Sequence, residues 1–201
     1  REQAIDRLKR LVPLVDGFIV HSHDYAARMS ELLAIPIAQM RVVPLGIPTR
    51  DFIDGAAIAP PTLTNSFTLG YFARMAPEKG LGQIVDAFVE VASKPSGSQL
   101  RLKLAGWMGP QHTEFWEQQK SKLNQAGLSH RWEYCGSIER SEKASFLKSL
   151  DLFCVPTVYA EPKGLFLLEA VACGVPYLQP AHGAFPELHH RLQGHTENAA
   201  I

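Results

Sequence analysis

Glu161 and Glu169 close the two ends of the stretch EPKGLFLLE, one ahead of a glycine and one inside an apolar run. Earlier in the chain, Arg74 and Lys79 bracket MAPE immediately before Gly80. A guanidinium grips two oxygens of an anion at once and an ammonium supplies a mobile point charge, so this second pair suits a diphosphate. A continuous helix would set Glu169 about 80° around the axis and about 12 Å along it from Glu161. Pro162 and Gly164 argue against continuity. The expected layout is a strand ending near Val155, a loop PTVYAEPKG, and a helix from Leu165 to Cys173 stopped by Gly174. Glu161 then lies on the loop and Glu169 about one turn inside the helix. A ligand over the helix start could touch both acids, and the N–H groups of Gly164, Leu165 and Phe166 would point at any anion it carried.

These residues need a frame that brings loops together. After residue 66 the sequence alternates regularly. FTLGYF reads as a strand, Leu81, Ile84, Val85, Phe88 and Val89 as a helix face, and QLRLKLAG as a strand with one exposed side. A helix marked by Phe115, Trp116, Gln119 and Leu123 follows, then the strand WEYCG and a helix capped by Ser141. The strand LFCV, the helix of the opening stretch and the strand VPYLQ complete the series. Five strands alternating with helices predict an α/β fold, a doubly wound, Rossmann-like parallel sheet. Ligands of such sheets settle at the carboxyl ends of the strands, where ARMAPEKG, GWMGPQH, GSIERS, PTVYAEPKG and PAHGAFPE all fall. The first 44 residues read as helix, strand (GFIV), a helix capped by Ser22 or Asp24, and strand (RVVP), and 45–65 as a linker rich in glycine and proline.

Bulk composition narrows the partners. Twenty Lys and Arg balance twenty Asp and Glu among 201 residues, so no global field recruits nucleic acid or an anionic membrane, and any anion site must be built locally. No apolar stretch approaches bilayer length. Cys135, Cys154 and Cys173 lack paired spacing and read as reduced, buried thiols of a cytoplasmic chain. The start in mid-helix and the unstructured-looking end, with a polar tail at 191–201, read as a piece of a longer protein. HSHD (21–24) offers two histidines without a third ligand, so no metal is expected there.

The MAPEKG segment lacks both GxGxxG and GxxxxGK[ST], and taken by itself leaves a phosphate cradle and two solvated cations equally open. In combination, LGYFARMAPEKGLGQIVDAF, YAEPKGLFLLEAVACGVP and QPAHGAFPEL resemble the phosphate-binding segment, the EX7E signature and the following glycine-rich loop of the retaining glycosyltransferases of family four, group 1. Those enzymes have the two-domain GT-B fold. The early DGFIVHSHDYAARM and RVVPLGI look like the closing strand–helix–strand of the family's first domain, and the likeness covers most of residues 14–190.

The resemblance implies a closing piece of the acceptor domain in 1–44 and a donor-binding domain in 66–190. It implies that Arg74 and Lys79 bind the donor's diphosphate, that Glu161 faces the transferred sugar, and that Glu169 accepts from the ribose hydroxyls. The helix start at Gly164, Leu165 and Phe166 would hold phosphates. His182 and Gly183 lie on the glycine-rich loop, where the histidine contacts sugar or phosphate or else bonds to backbone. Trp107 and Tyr159 are secondary candidates for a sugar or base site. Lys163 stands where many relatives have an aromatic. The implied donor is a UDP-, GDP- or ADP-sugar, transferred with retention, without metal or cofactor, to an unidentified acceptor that is a sugar, lipid-linked glycan or small molecule. The remainder of the first domain is then a necessary partner, and residues 1–201 alone should bind nucleotide weakly and catalyse little. A UDP-sugar 2-epimerase of the same architecture and a non-catalytic nucleotide-binding scaffold are the competing readings. A cytoplasmic location is implied, with peripheral membrane attachment open for the full-length protein.

Overall fold

A computed structural model of the chain describes residues 2–53 and 66–194. In chain order the elements are α1 (Glu2–Leu11), β1 (Phe18–Val20), α2 (His23–Leu33), β2 (Met40–Val42), α3 (Arg50–Ile53), β3 (Phe67–Phe72), α4 (Leu81–Ala92) and β4 (Leu100–Ala105). They continue with α5 (Thr113–Gln125), β5 (Trp132–Tyr134), α6 (Arg140–Lys148), β6 (Leu152–Cys154), α7 (Leu165–Ala172), β7 (Tyr177–Leu178) and α8 (Phe185–Gly194). The chain divides into two compact units. The first holds the described residues up to Gly46, Ala160–Leu165, and those from Ala181 to the end of α8. The second holds the described residues from Ile47 to Tyr159, and Phe166–Pro180.

The second unit is the expected doubly wound sheet. Its five strands run parallel in the order β5-β4-β3-β6-β7. From β3 the chain winds outwards to β4 and β5, then returns to the other side for β6 and β7. The winding direction therefore reverses between β3 and β6, and a crevice for ligands opens at the carboxyl ends of strands flanking such a reversal. Leu102 and Leu104 of β4 are fully buried, as their alternation with charged residues predicts, and pack with Leu81, Val85 and Phe88 of α4 in the core. Each such side chain contributes about 1.5–3 kcal/mol by leaving water. Trp116 is buried and Phe115 half-buried against the same core.

Three local features depart from the sequence reading. The helix α6 is capped by Glu139 and not by Ser141: the Glu139 N–H donates to the Glu142 carboxylate at 3.0 Å, a reciprocal arrangement that a serine two residues later cannot make. Within the stretch read as linker, α3 forms, and Phe52 is buried in the core of the second unit; residues 54–65 lie outside the described residues. Of the stretch read as a polar tail, 191–194 complete α8, while 195–201 lie outside the described residues.

In the first unit, β1 and β2 pair in parallel, and Ser22 caps α2 by accepting from the Tyr25 N–H at 3.1 Å. The helix α1 forms as its apolar spacing predicts, yet buries none of its residues. Among the described residues no helix is long and apolar enough to cross a membrane.

Candidate functional site

In the second unit, the reversal point is built from the loops after β3 and β6. Val158 donates its N–H to the Glu78 carbonyl at 3.1 Å, tying one loop to the other. Gly80, at φ +78°, lets them meet: a Cβ there would lie 1.8 Å from the Pro156 carbonyl oxygen, so no other residue fits the first position before α4. The Met75 N–H donates to the Trp107 carbonyl at 2.9 Å, and the Tyr71 hydroxyl donates to the Arg74 carbonyl at 2.8 Å. Burial pushes the Tyr71 phenol far up, so it remains a proton donor throughout the ordinary pH range.

On this scaffold, Lys79 donates from Nζ to the Tyr159 hydroxyl at 2.5 Å. Its ammonium also lies 4.9 Å from the centre of the Tyr159 ring and 5.6 Å from that of Phe166. Arg74 pairs with Glu78 at 2.9 Å, and both side chains are more than a third exposed. Glu169, the fifth residue of α7, accepts from Lys143 of α6 at 2.8 Å. The second unit thus groups Lys79 with Tyr159 and Phe166, and Glu169 with Lys143.

The first unit builds a different cluster. Glu161 is buried, and its Oε1 accepts from the N–H groups of Lys163 at 3.3 Å and Gly164 at 3.5 Å. The Gly164 N–H is therefore directed at this carboxylate, not outwards as expected from a bare helix start. The Glu161 carbonyl accepts from the Ala184 N–H at 2.8 Å, and Arg28 of α2 donates to the preceding Ala160 carbonyl at 3.2 Å. Gly183, at φ +64°, presses against the Glu161 backbone. His182 has Nδ1 buried with no partner among the described residues. Lys163 is exposed.

Several contacts could not be found from spacing. Glu187 of α8 accepts from the N–H groups of His23 at 2.9 Å and Asp24 at 2.7 Å, capping α2 across more than 160 residues. With Ser22 on the Tyr25 N–H, the start of that helix is fully engaged. His21 bonds to the Val43 carbonyl through Nδ1 at 3.1 Å, and among the described residues no cluster of three or more metal-ligating side chains occurs. Tyr159 and Lys143 likewise owe their places to the tertiary fold; an aromatic beside the acidic motif was the one sequence signal for the former. Of the cysteines, Cys154 and Cys173 are buried and Cys135 half-buried, all three free, and burial pushes the Cys154 thiol up to about 12.

Comparison with known proteins gives this geometry a context. The mannosylfructose-phosphate synthase of Agrobacterium fabrum is 29% identical over 111 residues, covering 55% of this chain and 24% of the synthase. The lipopolysaccharide core biosynthesis mannosyltransferase LpsB of Rhizobium meliloti is 33% identical over 120 residues, covering 60% of this chain and 33% of its own. Among solved structures, Anabaena Alr3699/HepE in complex with UDP and glucose matches with a TM-score of 0.75 at 20% identity, over 92% of this chain and 50% of that one. The sucrose-phosphate synthase of Thermosynechococcus elongatus matches with a TM-score of 0.74 at 23% identity, over 92% and 45%. The chain thus spans half or less of the length of these relatives, and the structural matches identify its sheet as that of a GT-B fold. The family model for glycosyl transferases group 1 matches residues 59–193, and the chain belongs to that family.

Proposed function

We propose that the chain is the donor-binding part of a retaining, metal-independent glycosyltransferase that takes its sugar from a nucleoside-diphosphate sugar. The observation that carries this reading is the Lys79 ammonium, held by the Tyr159 hydroxyl and framed by two aromatic rings at the reversal point of the sheet. A cation there, on the same loop as Arg74, would meet the phosphates of a nucleotide. Arg74 joins it by exchanging Glu78 for a phosphate oxygen. Exposed ion pairs of that kind are worth about 0–1 kcal/mol, so the exchange costs little.

In the proposed reaction the bond between the anomeric carbon and the diphosphate breaks, and negative charge grows on the leaving group. Lys79, Arg74 and the first N–H groups of α7, those of Leu165 and Phe166, would stabilise that charge. Preorganised donors of this type contribute about 2.7–4 kcal/mol each in the transition state. The departing diphosphate takes the proton from the acceptor hydroxyl, which attacks from the same face and gives retention. Glu161 orients the transferred sugar, Glu169 accepts from the ribose hydroxyls, and His182 and Gly183 border the sugar or phosphate. The acceptor is bound by the remainder of the first domain, so residues 1–201 alone bind nucleotide weakly and transfer little.

A thermal-shift screen against UDP, GDP, ADP and their sugars, with chelator present, tests the reading. A ligand at about 100 times its Kd adds about 2.7 kcal/mol, which for a chain of this size is about 5–10 °C. No shift with any nucleoside diphosphate would refute it. Retention is tested by NMR of the product anomer from the full-length enzyme.

A further inference from the structure

We propose that Lys143 is a positioning residue for Glu169 and sets how strongly the site discriminates ribose from deoxyribose; this rests on the reading of Glu169 as the ribose acceptor. The two side chains meet at 2.8 Å and are only 21% and 14% exposed. Among the described residues the pair of Lys94 with Glu90, by contrast, has both side chains mostly in water. Lys143 is also held from a second side. Its ammonium lies 5.1 Å from the centre of the Phe72 ring, and Phe72 packs on Phe146, three residues further along α6, with ring centres 5.9 Å apart. One face of α6 therefore presents Lys143 and Phe146 together to the last residue of β3, the strand end from which the Arg74–Lys79 loop departs.

This arrangement fixes a carboxylate in two ways. Lys143 engages Oε1, which leaves Oε2 as the acceptor for a hydroxyl, and it supplies the countercharge for an acid that has lost most of its hydration. Removing one partner of a part-buried pair leaves the other charge uncompensated and free to turn away. Without Lys143 the carboxylate would swing or recruit water, and its bond to a ribose hydroxyl would weaken, while the phosphates, held by other residues, would be bound as before.

The test measures, by calorimetry on the whole chain, the affinities of UDP, GDP and ADP and of their 2′-deoxy forms for wild type, Lys143→Met and Glu169→Gln. Wild type should prefer the ribonucleotide about tenfold or more, the worth of a hydroxyl bond to a charged acceptor. Lys143→Met should reduce that preference to threefold or less with inorganic pyrophosphate affinity unchanged, as should Glu169→Gln. Lys143→Arg, which keeps the charge, should retain most of the preference. Where the methionine variant does not fold, Lys143→Gln serves with the same reading. A wild-type preference that survives in the Lys143 variant but disappears in Glu169→Gln overturns the inference and leaves the role of Glu169 standing. Equal loss of ribo- and deoxynucleotide in the Lys143 variant overturns it too, by making Lys143 a direct ligand. Absence of any preference in wild type overturns the role of Glu169 and the inference with it.

Discussion

Replacing Gly183 with alanine should displace the backbone of Glu161. At φ +64° the new side chain would stand 2.6 Å from both the nitrogen and the carbonyl oxygen of Glu161 and 2.9 Å from the carbonyl carbon of Ala160. Two effects add. A left-handed conformation costs an L-residue about 1–2 kcal/mol. The overlap is with backbone, which cannot rotate away, so the Glu161 carbonyl must move off the Ala184 N–H that now lies 2.8 Å from it, at a further cost of about 0.5–1.5 kcal/mol. Gly174 isolates the first effect: it has φ +72°, and nothing lies within 4 Å of its would-be Cβ. Gly174→Ala should therefore cost about 1–2 kcal/mol, and Gly183→Ala about 1.5–3.5 kcal/mol. Thermal unfolding resolves the difference, since each kcal/mol moves Tm by about 2–4 °C at this size. Hydrogen exchange of the Ala184 amide locates it and should accelerate only in Gly183→Ala. Equal destabilisation by the two substitutions, with Ala184 still protected, would refute the reasoning. In a full-length enzyme the same shift of Glu161 should lower turnover by up to about a hundredfold, the usual consequence of about 1 Å of misplacement.

Other perturbations probe the rest of the structure. Glu187→Ala removes two charge-assisted bonds from the start of α2 and should cost about 2 kcal/mol, with faster exchange at the His23 and Asp24 amides; unchanged exchange would contradict the capping role. Cys154 binds its proton more tightly folded than unfolded, because burial raises the thiol from 9.0 to about 12. Its contribution to stability is complete below pH 9 and is lost as pH rises towards 12, by at most about 4 kcal/mol at 1.36 kcal/mol per tenfold change. Cys154→Ala should flatten the loss of stability in urea titrations between pH 9 and 11, and an unaltered slope would count against it. Tyr159→Phe removes the hydroxyl that accepts from Lys79 but keeps the ring, and should weaken nucleotide binding about tenfold in calorimetry; wild-type affinity would contradict that role of the hydroxyl.

The alternation of apolar runs with glycine and proline gave the strand and helix order after residue 66, because a parallel sheet buried on both faces leaves that pattern in its sequence. The start of α7 and the stop at Gly174 were equally legible, since proline and glycine act through local backbone geometry. Glu139 and Ser141 lie two residues apart at the start of α6, and only the reciprocal bond of Glu139 with Glu142 shows which of them caps it. What could not be read is pairing at long range. Lys143 and Glu169 are 26 residues apart, Lys79 and Tyr159 are 80, and Asp24 and Glu187 are 163, and no periodicity links them. Phe52, one aromatic in a stretch of loop-forming composition, carries no signal of the core it enters.

Calorimetric titration of UDP, GDP and ADP into wild type, Lys79→Met and Lys163→Met tests most directly whether the aromatic-framed ammonium binds a diphosphate. The expected result is that one of the three binds wild type, that Lys79→Met loses about 10- to 150-fold in affinity, as a charged hydrogen-bond donor is worth, and that exposed Lys163→Met stays within about twofold. Binding that is unimpaired in Lys79→Met would contradict the account.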